Sequence, residues 1–358
     1  MLMMTLALTA VAFTACSSDD DESGPVQNNT KLWPAYSSSD KLWGYINENG
    51  EWAIKPQFSE VHDFSCGLAR VEVAGSKEYY INTNGEYING NAKFDEGEDF
   101  KNNYAVVEDE KGVNGLVDRN INMKIQMIYS SLGDVASNGL MYCKASSSGK
   151  YGYINTDNEK VIDYQFDNAY TFHGEVAAVK LGDSWGLIGP TGNYVVTPKY
   201  ISLYPLGNGM YAFGEKTTTS GTSSSSYLYG MMNASGKIIV QPIYKYIRPT
   251  SVVDDTTGRF AVQNSNGQEG YIDTYGKEIV ECQYSYAGYF RNGYAFVING
   301  ANKRFIIDAS GNIHSTLEDG EVLSKYSNGL FRIEKVEAGK RTTKYVNLEG
   351  KTVYMWVE

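Results

Sequence analysis

The chain has 358 residues, 13% of them aromatic and 20% charged, with a formal net charge of −11 and a pI near 4.9. Enough apolar and aromatic surface is present to bury a core, which excludes wholesale disorder. The acidic balance argues against nucleic-acid binding and against polybasic attachment to membranes, since both need the opposite sign.

Residues 2–13 are a mostly apolar stretch, too short to span a bilayer and of the length of a signal-peptide apolar region. The stretch runs into Phe13-Thr14-Ala15-Cys16, and small residues just before a cysteine resemble the lipobox of bacterial lipoproteins. That resemblance implies removal of residues 1–15 as a lipoprotein signal peptide and lipid attachment at Cys16. Residues 16–30, with Asp19, Asp20, Asp21 and Glu22 among Ser, Gly and Pro, read as a flexible acidic tether. An acidic run directly after a lipidated cysteine also resembles the surface-export signal of lipoproteins in some Gram-negative bacteria. The expected location is the outer membrane, lipid-anchored and facing the cell surface, with the periplasmic face as the alternative. Cys66, Cys143 and Cys282 remain, an odd number without Cys-x-x-Cys spacing, and are expected as buried free thiols.

From residue 31 to 358 the chain repeats itself. An Asn or Asp following an aliphatic residue recurs at Asn47, Asn82, Asp118, Asn155, Asn233, Asp273, Asp308 and Asn347, with Gly189 as the exception in type. The spacing of 34 to 44 residues gives nine units. The position before each anchor is apolar, as in Ile46, Ile81 and Val117, which marks an inward-facing strand residue. Three residues before the anchor stands Gly in six units: Gly44, Gly115, Gly152, Gly186, Gly230 and Gly270. Its recurrence within a strand predicts close approach of a neighbouring backbone or ring. Three residues after the anchor stands Gly in seven units, with Asn158 in the fourth and Ile121 in the third, the position of a hairpin turn requiring positive φ. A second strand closes on a Pro and an aromatic (Pro56 and Phe58, Pro198 and Tyr200, Pro242 and Tyr244), and a third begins after Gly or Asn, as at Gly67, Gly209 and Gly293. Each unit therefore reads as three short antiparallel strands. A sheet so small cannot bury both faces alone, so neighbouring units must stack.

These columns resemble the WG-repeat family. Trp43-Gly44-Tyr45-Ile46-Asn47 with Pro56 and Phe64-Ser65-Cys66-Gly67-Leu68-Ala69 is a near-complete copy of its pattern, and Trp185-Gly186-Leu187-Ile188 with Pro198 is the second best. The resemblance implies an all-β repeat array, a β-propeller or propeller-like ring, and implies no particular activity. The alternative architecture is an open β-solenoid. Polar insertions lengthen the array at 217–226 and 253–257, the latter containing Asp255-Thr256-Thr257, which resembles a bacterial O-glycosylation sequon.

Nothing in the sequence nominates a catalytic centre. His62, His173 and His314 fall in different units, without metal-ligand spacing, and no cofactor motif occurs. The acidic clusters 95–99 and 108–110 read as solvated loops, and the anchor Asn/Asp column as turn-capping side chains. Most aromatics are absorbed by repeat columns, leaving Tyr36, Tyr286 and Tyr289 as candidates for exposure. The expected function is a non-catalytic binding or scaffolding role at the cell envelope, towards a protein or glycan, with membrane contact through the lipid and no cofactor or metal. The alternative is an enzyme acting on envelope polysaccharide or peptide.

Overall fold

The computed structural model describes residues 31–73, 77–145, 149–218, 225–248 and 257–358. Among these residues there are 33 strands, all pairs antiparallel, one 3-10 turn at Asn89–Asn91 and no α-helix. The signal, Cys16 and tether readings, and most of the two polar insertions, lie outside the described residues.

Units two to nine have four strands where the repeat pattern predicts three. The additional one comes first and ranges from two residues at Glu60–Val61 to seven at Glu321–Ser327; in the second unit Glu60–Val61 is followed by Leu68–Glu72, Glu78–Asn82 and Lys93–Phe94. It escapes the sequence pattern because it continues the last strand of the preceding unit. Trp52–Phe58 is separated from Glu60–Val61 by one residue, and in Met123–Leu132 and Glu278–Ala287 the two roles fuse into one strand. Tyr129 accordingly pairs with Asn114 behind it and Ala145 ahead of it.

The recurrent glycine three residues before the anchor answers to a bulge. In units one and three to seven the pairing with the last strand slips by two residues: Trp43 pairs with Phe58, but Tyr45 with Ile54. The slip pushes a carbonyl over the glycine, so a Cβ on Gly44, Gly186 or Gly270 would lie 2.5, 2.4 and 2.4 Å from the oxygens of Ile54, Val196 and Val280. Pro56, Pro198 and Pro242 sit inside these bulges, where no ladder donor is needed. Units eight and nine carry Phe305 and Lys344 at the glycine position, and there the pairing runs without that slip, from Arg304–Leu317 to Ile306–Ser315 and from Thr342–Val357 to Tyr345–Tyr354.

The core is divided among the junctions. Nine apolar clusters are present, each made by two successive units. Between units four and five, for example, Tyr153 and Phe166 pack on Phe172 and Val179. The ninth cluster decides the architecture. It joins Leu330, Tyr345 and Trp356 of the last unit to Trp33, Ala35 and Ile46 of the first. Nine units in an open array would have eight junctions. The ring is closed, and the propeller-like reading holds over the solenoid.

Candidate functional site

The anchor column is structural. Asn155 Oδ1 accepts from the backbone N–H of Asp157 at 3.1 Å and Glu159 at 2.9 Å, and the same bonds recur at Asn47, Asn82, Asp118, Asn233, Asp273 and Asp308. Gly189 keeps the turn without the side chain, its N–H donating to Asn193 O at 2.9 Å. Asp109, Asn264 and Asn299 repeat the device in other hairpins, a use the 34-to-44-residue register does not pick out. Ile121 holds the turn position at φ 59° while buried.

The other singled-out residues separate. His314 packs on Tyr294 and Phe331, and burial pulls the His173 imidazole below its usual value against the opposing pull of Asp134. Cys143 is a buried free thiol and Cys282 a half-buried one, both pushed by burial to about 11. Cys66 is buried at the junction of units two and three. Tyr36 is half-buried against Trp43, whereas Tyr286 and Tyr289 line a recess of about 90 Å³ with Tyr294 and Tyr326. The acidic stretch 95–99 is only partly a solvated loop: Glu96 lies in a strand, Asp95 pairs with Lys77 at 2.8 Å, and Asp99 turns into a cavity.

That cavity lies beside the seam between the last unit and the first. Unit one has only Trp33–Ser37, Leu42–Ile46 and Trp52–Phe58; the short opening strand is missing among the described residues. In unit two that strand satisfies two carbonyls of its neighbour, His62 N–H donating to Arg70 O and Ser59 N–H to Glu72 O, both at 2.9 Å. The equivalent carbonyls of unit one are those of Pro34 and Tyr36, and hydroxyls of the last unit take over: Tyr345 donates to Pro34 O at 2.9 Å and Tyr354 to Tyr36 O at 3.3 Å. Pro34 itself has no N–H to leave open on this edge. Trp33 Nε1 donates to Ser327 O at 3.0 Å, and four of the five tryptophans, Trp33, Trp43, Trp52 and Trp356, crowd the seam.

A second trace of the missing strand is Thr343. Four residues before the anchor, Glu78, Asn114 and Glu269 accept the N–H of Gly97, Leu132 and Ala287 in the opening strand of the next unit, at 2.6, 3.1 and 2.7 Å. Thr343 occupies that column in the last unit, fully buried, and its Oγ1 has no partner among the described residues.

Beside the seam lies a polar cavity of about 370 Å³, walled by Trp43 of unit one, Glu60, His62 and Asp63 of unit two, Asp99 of unit three and Arg332 of unit nine. Asp63 forms an ion pair with Lys325 across unit one. Arg70 ties the rear wall together, donating to Glu78 at 2.6 Å, with Nη2 3.1 Å from His62 Nδ1 and Nε 3.8 Å from Asp99. Burial raises the Glu78 carboxyl despite Arg70, and burial followed by the charges of Asp63 and Asp99 holds the Tyr45 hydroxyl far above the usual phenol range. Tyr45 therefore stays protonated and donates to His62 O at 2.8 Å, fixing the strand that carries the acids.

Sequence reasoning reached Asp99 only as part of a charge run and missed Glu60, Asp63 and Arg332. No local pattern brings together residues of units nine, one, two and three; only ring closure does.

The family model described as WG containing repeat matches residues 43–76, 151–184, 185–214, 229–251 and 270–302. No curated protein sequence matches the chain. Among solved structures, the chain is similar to a eukaryotic initiation factor (11% identity, 92% of this chain and 85% of that one, TM-score 0.47) and to the computationally designed Ika8 protein (9%, 84% and 96%, TM-score 0.43). BamB from Moraxella catarrhalis is similar at 12% identity over 93% of this chain and 98% of that one, with a TM-score of 0.36. The architecture rests on the strand pairing and junctions described above. Five stretches of this chain thus match the WG containing repeat, each starting at or within one residue of the column occupied by Trp43 and Trp185.

Proposed function

We propose that this protein is a non-catalytic binding or scaffolding protein of the cell envelope. Residues 1–15 would be removed, Cys16 lipidated, and residues 16–30 would tether the ring to the outer membrane, outward-facing, where it engages a protein or glycan. The supporting observation is the seam cavity: four of its side chains, Trp43, Glu60, Asp99 and Arg332, make no side-chain hydrogen bond among the described residues. Polar groups arranged around a recess with unspent bonding capacity are suited to recognition.

Two measurements test this reading. Mass spectrometry of protein from membranes should find Cys16 as an N-terminal diacylglyceryl cysteine; Cys16 recovered within an uncleaved chain, as a thiol or in a disulfide, would overturn the anchor. Pull-down from solubilised envelopes should retain a protein or glycan that Asp99→Asn or Arg332→Gln releases, and retention unchanged by both variants would remove the seam from the account.

A hydrolytic reading has one observation in its favour, namely that Glu60, Asp63 and Asp99 wall the same cavity. Asp63 is already engaged by Lys325, which leaves Glu60 and Asp99 as the pair such chemistry would need. Turnover of envelope polysaccharide by the purified protein, abolished by Asp99→Asn, would establish it in place of the binding role.

A further inference from the structure

We infer that the seam cavity is a binding site for a neutral saccharide. The inference rests on the binding role proposed above and names its ligand class.

Charge and hydrogen bonding point different ways in this cavity, and the difference selects the ligand. Three of the charged groups on its wall have opposite partners within the protein: Asp63 has Lys325, Arg332 has Glu334 at 3.0 Å and Asp99 has Arg70 at 3.8 Å, while Glu60 lies 3.5 Å from the His62 imidazole, a counter-charge only when protonated. A ligand group charged opposite to Asp63, Arg332 or Asp99 would have to displace one of these three pairs. The hydrogen-bonding capacity is not similarly spent. Trp43 and Arg332 offer donors, and Glu60 and Asp99 offer acceptors, with no hydrogen bond from these side chains to any described residue. Two donors and two acceptors around one space suit a molecule whose groups serve as both, and hydroxyls do so without displacing those three ion pairs. The indole of Trp43 adds an apolar wall against which the C–H face of a pyranose can lie.

The neighbouring recess extends the same chemistry. Tyr286, Tyr289, Tyr294 and Tyr326 line it together with Lys325, whose ammonium is the partner of Asp63 in the seam cavity. An oligosaccharide with one end at the seam would lay its next residue over tyrosines. The opposite possibility, an added peptide strand beside Trp33–Ser37, is disfavoured because the outward carbonyls of Pro34 and Tyr36 are already taken by Tyr345 and Tyr354.

The test is a titration of the full-length protein with cellobiose, lactose, mannobiose and N,N′-diacetylchitobiose, followed by indole emission, which four seam tryptophans dominate. We expect saturable binding of at least one disaccharide, weakened about ten-fold or more by Asp99→Asn and by Glu60→Gln, the loss of a charge-assisted hydrogen bond. Unchanged circular dichroism and melting would show that both variants fold. No response to any of the four, or a response indifferent to both substitutions, overturns the assignment. Pentalysine and pentaglutamate peptides run alongside: Asp99-dependent binding of either, with no sugar bound, would overturn the saccharide while keeping the seam as a binding site. Failure of every probe together with an empty envelope pull-down would end the binding role itself.

Discussion

The hydroxyl of Tyr345 donates to the carbonyl of Pro34 at 2.9 Å across 311 residues of chain. Elsewhere the tyrosine of this column reaches the next unit just after its opening strand: Tyr45 to His62 O, Tyr80 to Glu98 O, Tyr153 to Tyr170 O and Tyr271 to Gly288 O. At the seam that strand is missing among the described residues, and the hydroxyl bonds instead to the strand behind it. The ring closes by the same contact, one layer deeper.

Tyr345→Phe should therefore cost about 1–3 kcal/mol, because it leaves the Pro34 carbonyl enclosed without a donor. Urea denaturation followed by far-UV circular dichroism measures this. A cost of zero would mean that the carbonyl finds water and that the seam is looser than described.

The bulge glycines offer a sharper contrast. In Gly186→Ala the new methyl would sit 2.4 Å from Val196 O, a backbone atom, so the strand pair must distort at a cost of about 1–3 kcal/mol or more. Gly300→Ala meets nothing within 4 Å and should be neutral or slightly stabilising. Thermal melting of the two variants against the parent decides it.

Much of this was legible from the sequence, and the limits have physical causes. The columns Gly44, Ile46, Asn47 and Gly50 report local events (a bulge, a core contact, a turn), so their recurrence located all nine units. The absence of glycine at Phe305 and Lys344 marks strand pairs without that slip, a difference in pairing that the residue column alone does not reveal. The opening strand was invisible because in Met123–Leu132 it has no turn to announce it. The candidate site was not legible. Asp63, Asp99 and Arg332 meet only because the ring closes, and closure was what the repeat pattern left open.

Unit five tests the anchor column by addition. Gly189 lacks the side chain that elsewhere accepts two backbone N–H groups, and a Cβ there would meet only Asn193 O, at 3.9 Å. Gly189→Asn should stabilise the protein by about 0.5–1 kcal/mol, from the turn bonds and reduced freedom of the unfolded chain. A lower melting temperature would show that the turn is not the limiting element there.

Acid sensitivity should be traceable to His173. Burial lowers its folded-state value, with Lys101 acting in the same direction and Asp134 opposing. The unfolded chain then binds the proton first, so stability is fully present above about pH 6.5 and falls as pH drops below it, until the folded imidazole also titrates. Chemical denaturation between pH 8 and pH 5 should show this decline, and His173→Phe should flatten it. An unchanged slope in the variant would assign the sensitivity to other groups.

Closure of the ring is best tested by zero-length carbodiimide coupling of the native protein, which converts a touching amine and carboxylate to an amide. Peptide mapping of the monomer should recover Lys325 joined to Asp63, 262 residues apart, alongside the local pairs Lys77–Asp95 and Lys101–Asp134. Recovery of the two local crosslinks with no Lys325–Asp63 product would contradict a closed ring.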